Sequence, residues 1–224
     1  MSMRPKAVLF DIDGVLVDSY QAHYQSWHLL ASRYGRVCTE QDFAAQFGRT
    51  TREVMEVQWH DANLTEQDYR RLDEEKEAIF RELIEDQFPV MPGALELIEN
   101  LLEQQWRIGL GSSGPVENVQ LAIRKLGIAS QIQIAISGND VSKGKPDPEV
   151  FLKAAQGCKT PPDSCVVIED ATHGIEAALA AGMLAVGFAS QGRKRTDLAQ
   201  AHLVIDSLSE ISSQQLEDLL TLKP

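Results

Sequence analysis

Cysteine is scarce: the chain has three, Cys38, Cys158 and Cys165, an odd number without metal-type spacing. That excludes a small disulfide-stapled scaffold and predicts reduced thiols in a reducing compartment. Long apolar runs are missing too. The stretch between Met1-Ser2-Met3-Arg4-Pro5-Lys6 and Asp11 is only about four residues long, too short for a signal core or a membrane span. The expectation is a cytoplasmic protein that does not use a membrane. No basic cluster stands out either, and the net charge of -12 disfavours a nucleic-acid partner, because phosphate backbones are bound by grouped lysines and arginines. There is no internal repeat and no low-complexity tract. What is present is 224 residues with 43% apolar content, enough for one large domain or a core carrying an insertion. So acidic a chain must concentrate positive charge locally to bind an anion, which directs attention to divalent cations and a few chosen lysines or arginines.

Short apolar runs rich in β-branched residues fall at Ala7–Phe10, Ile108–Gly111, Ile134–Ser137, Cys165–Ile168, Leu184–Phe188 and Leu203–Ile205. Runs without polar alternation predict strands buried on both faces, as in a parallel sheet. Amphipathic segments of helical length lie between them, near Ala94–Gln104, Pro115–Leu126, Pro148–Ala155 and Gly174–Ala181. The fold class is therefore α/β, a doubly wound parallel sheet of Rossmann type. From Ser19 to Phe88 no strand is predicted, and several helices follow one another. Thr39 with Asp42, and Thr65 with Asp68, have capping-box spacing, and Glu66 to Glu85 continues as a helix with a charged face. The charge run Arg70–Lys76 is expected to be solvated helix surface. Phe88-Pro89-Val90-Met91-Pro92-Gly93 breaks the pattern and returns the chain to the core.

Four segments carry chemistry. Asp11-Ile12-Asp13-Gly14 follows a buried strand, placing two carboxylates where open α/β sheets bind ligands. Two acids at that edge repel unless a hard cation such as magnesium binds them. Val166-Val167-Ile168-Glu169-Asp170 repeats the arrangement, with Asp170 the preferred metal ligand and Glu169 a further ligand or an outer partner. Gly111-Ser112-Ser113-Gly114 joins a strand to a helix with small residues that let backbone N–H groups approach an anion. In Lys143-Gly144-Lys145-Pro146-Asp147-Pro148, two prolines and a glycine fix the backbone around Lys145, which can counter a phosphate charge.

In this order the four segments resemble the signature motifs of the haloacid dehalogenase-like hydrolase superfamily. The stretch DIDGVLVD, the KGKPDP loop and VIEDATHGIEAALAAGM are similar to the subgroup of β-phosphoglucomutase and phosphoglycolate-type phosphatases. The resemblance implies a Rossmann-like catalytic core from residues 1–16 and 90–224, with a helical cap at 17–89 inserted after the first strand. It implies that Asp11 is the nucleophile and Asp13 the general acid and base. Ser112 and Lys145 would cradle the phosphoryl group, and Mg2+ would be held by Asp11, the Asp13 carbonyl and Asp170. Asp13 argues against dehalogenation, since displacing halide needs no proton donor. A cap lysine of the kind that forms a Schiff base in phosphonate-cleaving members is not assignable here.

The implied function is a magnesium-dependent phosphatase acting on a small phosphorylated metabolite through an aspartyl-phosphate. The alternative is a phosphomutase of the β-phosphoglucomutase type. From another class, a catalytically silent sensor of phosphometabolites would be expected to have lost the nucleophile. Ser113 and Gly114 would bind substrate in the core. By approximate alignment His23, Trp27, Arg52 and Lys76 fall at cap positions that bind phosphosugar, with Arg49 an alternative to Arg52. The other reading makes His23 and Trp27 cap packing, and Arg52 and Lys76 solvated charges. A monomer or weak dimer is expected.

Overall fold

The computed structural model describes residues 4–47 and 50–221 of the chain. The chain divides into two compact units, one of Met1–Asp18 with Val90–Pro224 and the other of Ser19–Pro89.

The first unit is built on six strands, β1 (Ala7–Phe10), β2 (Arg107–Gly111), β3 (Ile134–Ile136), β4 (Cys165–Glu169), β5 (Leu184–Phe188) and β6 (Leu203–Ile205). Their order is β3-β2-β1-β4-β5-β6, and all neighbours run parallel. Each strand lies within one residue of its predicted run. The reason is burial: all four residues of β1 are fully buried, so the strand cannot tolerate a polar alternation. Ala7 and Leu9 pack on one side with Val167, Phe151, Ala154, Ile175 and Ala178. Val8 and Phe10, one residue out of step, face the other side. Each buried Val, Leu or Phe contributes about 1.5–3 kcal/mol of transfer free energy.

Helices α5 (Ala94–Glu103), α6 (Val116–Leu126), α7 (Glu149–Gly157) and α8 (Thr172–Ala180) connect the strands, and α9 (Ser213–Thr221) ends the unit. The strand order reverses direction at β1 and β4, so the chain diverges to opposite sides and leaves a crevice at their C-terminal ends. After β1 the chain turns tightly: Leu16 and Val17 N–H both donate to Ile12 C=O, and Gly14 takes a left-handed φ of 77°. Val17 then bridges Val90, and Met91 N–H donates to Leu16 C=O, so the outgoing and returning segments are paired.

The second unit holds α1 (Tyr20–Arg33), α2 (Glu40–Ala44), α3 (Thr51–Gln58) and α4 (Glu66–Glu85). Thr39 with Asp42 and Thr65 with Asp68 form the expected capping boxes, and Thr50 with Glu53 forms a third that begins α3. In each, hydroxyl and carboxylate satisfy N–H groups that the first helical turn leaves unpaired, each cap being worth about 1 kcal/mol. The core of this unit joins Tyr20, Trp27, Leu30, Phe43, Met55, Trp59, Leu72 and Ile79. Arg70, Arg71 and Glu74 are solvated as expected, whereas Lys76 is 4% exposed. Its position beside Leu72 and Ile79 on the inner face of α4 carries it inward. Among the described residues no helix is long and apolar enough to cross a membrane.

Candidate active site

Register explains why distant acids meet. Phe10 is level with Ile168 and Leu110, and Asp11 N–H donates to Ile168 C=O at 3.0 Å. The next residue along each strand is therefore Asp11, Glu169 and Gly111, side by side at one edge. Lys145 reaches the same edge from the loop before α7. Its Nζ donates to Asp11 Oδ1 at 2.6 Å, to Glu169 Oε1 at 2.7 Å and to Gly111 C=O at 3.0 Å. The side chains of all three charged residues are less than a tenth exposed. Glu169 Oε2 accepts from Ala171 N–H at 2.8 Å, so both of its oxygens are engaged. Asp170, 2% exposed, receives Arg193 Nε at 2.8 Å and Ser190 Oγ at 3.3 Å on Oδ2.

Oxygens of Asp11, Glu169 and Asp170 come within 4.8 Å of one another. Burial pushes Asp11 well above the usual carboxylate range; Lys145 opposes this, while Glu169, Asp170 and Asp13 reinforce it. Burial likewise raises Asp170 against the pull of Arg193. Lys145 is driven down by burial but up more strongly by Asp11 and Glu169, and stays charged. Acids that resist ionisation when crowded ionise readily beside a cation. The donors are hard, all oxygen, and suited to a small divalent ion such as magnesium.

Asp13 is half-buried, and a β-carbon at Gly114 would stand 3.7 Å from its Oδ2 and 3.3 Å from Ser112 Oγ. The second aspartate therefore faces the turn that follows β2. Ser112 is buried; its N–H donates to Ile136 C=O, and its Oγ accepts from Gly114 N–H at 3.0 Å. That leaves the Ser112 hydroxyl hydrogen to donate elsewhere. Ser113 is exposed.

In the second unit, His23 and Lys76 meet: Nζ lies 2.8 Å from His23 Nδ1 and 2.8 Å from Glu77 Oε1. The His23 ring stacks on Phe80 at 4.0 Å, and Lys76 Nζ lies 6.0 Å from the Trp27 ring. Arg52 is elsewhere, half-exposed, with NH1 and NH2 on Glu66 and Nε on Glu56, and its guanidinium over Tyr69. Arg49 lies outside the described residues. The sequence reading missed Arg193 and Ser190. The signal available was position: they follow β5, next to β4, in an acidic chain where Arg193-Lys194-Arg195 is an isolated basic run.

Two curated relatives match almost end to end. Hexitol phosphatase A of Escherichia coli (strain K12) is 32% identical over 218 residues, covering 94% of this chain and 94% of the relative. A β-phosphoglucomutase of Bacillus subtilis (strain 168) is 30% identical over 220 residues, covering 95% and 94%. The crystal structure of an HAD hydrolase, family IA, variant 3, from Entamoeba histolytica HM-1:IMSS superposes with a TM-score of 0.88 at 30% identity, covering 96% of this chain and 99% of that one. Residues 5–182, which contain Asp11, Asp13, Ser112, Lys145, Glu169 and Asp170, match the haloacid dehalogenase-like hydrolase family, and the chain belongs to it.

Proposed function

We propose that this hydrolase is a magnesium-dependent phosphatase of small sugar or polyol phosphates, working through an aspartyl-phosphate on Asp11. The observation that carries the reading is the convergence of Asp11, Lys145, Glu169 and Asp170 at one strand edge, with the nucleophile's oxygen 2.6 Å from a buried ammonium. Asp11, Asp170 and the Asp13 backbone carbonyl would hold the ion; Glu169, with both oxygens bonded, fits an outer partner better than a ligand. Bound magnesium supplies the positive charge that lets a phosphate anion approach a carboxylate.

Asp11 attacks phosphorus as the bond to the leaving alcohol breaks, and Asp13 donates the proton that the alkoxide needs. Asp13, now a base, removes a proton from water as that water attacks the acyl-phosphate, releasing phosphate and restoring Asp11. Lys145 and the Ser112 hydroxyl hold phosphoryl oxygens, with Ser113 and Gly114 supplying backbone N–H groups. The curated relative named hexitol phosphatase supports hydrolysis of a polyol phosphate. Three buried, free thiols suit the cytoplasm.

The relative named β-phosphoglucomutase favours a second reading, transfer of the phosphoryl group back to a sugar hydroxyl. A mutase must grip the other phosphate of a bisphosphate intermediate. Of the charges proposed for that grip, the two among the described residues are already balanced, Lys76 by Glu77 and Arg52 by Glu66 and Glu56. Hydrolysis is therefore favoured. A panel of hexose, hexitol and pentose phosphates with and without Mg2+, scored for released phosphate, tests the proposal. Glucose 6-phosphate formed from β-glucose 1-phosphate faster than phosphate is released would establish the mutase instead.

A further inference from the structure

Three buried carboxylates, Asp11, Glu169 and Asp170, share the strand edge with two partly buried cations, Lys145 and Arg193, whose side chains are 7% and 14% exposed. Fully ionised, as an ion would hold them, the five side chains carry one net negative charge. Adding a divalent ion leaves one net positive charge, the sign that attracts a phosphate dianion. Without Arg193 the same sum is zero.

We propose that Arg193 is a positioning residue that weakens the hold of the site on its divalent ion and strengthens its hold on phosphate. The assignment rests on the metal reading above. Arg193 acts through Asp170, whose Oδ2 it contacts at 2.8 Å. Its contribution is charge more than orientation, because the Asp170 carboxylate is fixed independently. Ser190 Oγ lies 3.3 Å from the same oxygen, and Gly14 presses so closely that a β-carbon there would overlap it. Removing the guanidinium thus leaves the ligand in place and takes away a positive charge next to the ion, where low-dielectric surroundings magnify it. An ordinary orienting partner would do the opposite, since its loss lowers metal affinity.

The test is calorimetric titration of the full chain at pH 8, first with Mg2+ and then, at saturating Mg2+, with inorganic phosphate. R193Q is expected to bind Mg2+ more tightly and phosphate more weakly, each by on the order of tenfold. R193K keeps the charge but not the planar fork, and both constants are expected to stay within about threefold of the unaltered protein. Weaker binding of both ligands by R193Q would make Arg193 an orienting partner and overturn the assignment. Should R193Q fail to fold, R193K decides: a loss of Mg2+ affinity beyond tenfold would overturn it. An unaltered protein that binds no divalent ion would overturn the metal reading itself, and the assignment with it.

Discussion

Lys145 Nζ lies 2.6 Å from Asp11 Oδ1, yet this ion pair does not make Asp11 an easy carboxylate to ionise. Burial outweighs the lysine, and Glu169, Asp170 and Asp13 add to it. The metal-free fold therefore binds a proton at Asp11 more firmly than the unfolded chain does. The stability that this group contributes is complete below its unfolded pKa of about 4 and is lost as pH rises through the raised folded value.

Asp11→Asn removes that liability along with the proposed nucleophile. The variant is expected to release no phosphate from any ester while keeping the fold. In chelator it should lose less stability than the unaltered protein as pH rises from the ordinary carboxylate range through neutrality. Thermal denaturation across that range, with circular dichroism at each end, checks both parts. Turnover near the original rate, or a steeper pH dependence in the variant, would remove Asp11 from its assigned role.

A divalent ion held by the same acids must displace the protons that burial retains on Asp11 and Asp170. Apparent Mg2+ affinity is therefore expected to rise with pH above the ordinary carboxylate range, and binding to release protons. Calorimetry in two buffers of different ionisation enthalpy measures the release directly. Identical heats in the two buffers would show that the acids are already ionised without metal.

How much of this was readable beforehand follows from how local each feature is. The strands were legible because burial on both faces turns them into unbroken apolar runs, as at Cys165–Glu169. Asp11, Lys145 and Asp170 were legible because each closes such a run or sits in a loop stiffened by proline, a property of neighbouring residues. Arg193 was not, since its partner is 23 residues away and only the pairing of β4 with β5 brings them together. Of the two readings of Lys76, the solvated one fails for a related reason. A lysine within a charge run reads as surface, and the half-buried His23 and buried Phe80 against it come from packing that spacing does not encode. The capping box of Thr50 and Glu53 was present in the sequence and could have been found by its spacing alone.

In the proposed mechanism Asp13 has a different task from Asp11, and its replacement should separate the two half-reactions. With an aryl phosphate, whose leaving group needs no proton, Asp13→Asn is expected to form the acyl-phosphate and then stall, because no base remains to activate water. Mass spectrometry of acid-quenched protein should show phosphate retained on the peptide containing Asp11. Steady release of phosphate at the original rate, with no trapped adduct, would take Asp13 out of the mechanism.

Gly174, in the first turn of α8, offers a test in which two physical effects have opposite signs. By helix propensity alone, Gly174→Ala should stabilise the protein by about 0.5–1 kcal/mol. A β-carbon there would instead overlap the Glu169 carboxylate. That carboxylate cannot step aside without surrendering Lys145 on one oxygen or the Ala171 N–H on the other. Overpacking of this kind costs about 1–3 kcal/mol, so a net loss of stability is expected. Displaced Glu169 would also release Lys145 from one of its three anchors, so the proposed phosphatase activity should fall together with the melting temperature. A Gly174→Ala protein that melts higher than the original would mean that the 169–174 turn relaxes freely, and that Glu169 is not held as tightly as its two bonds require.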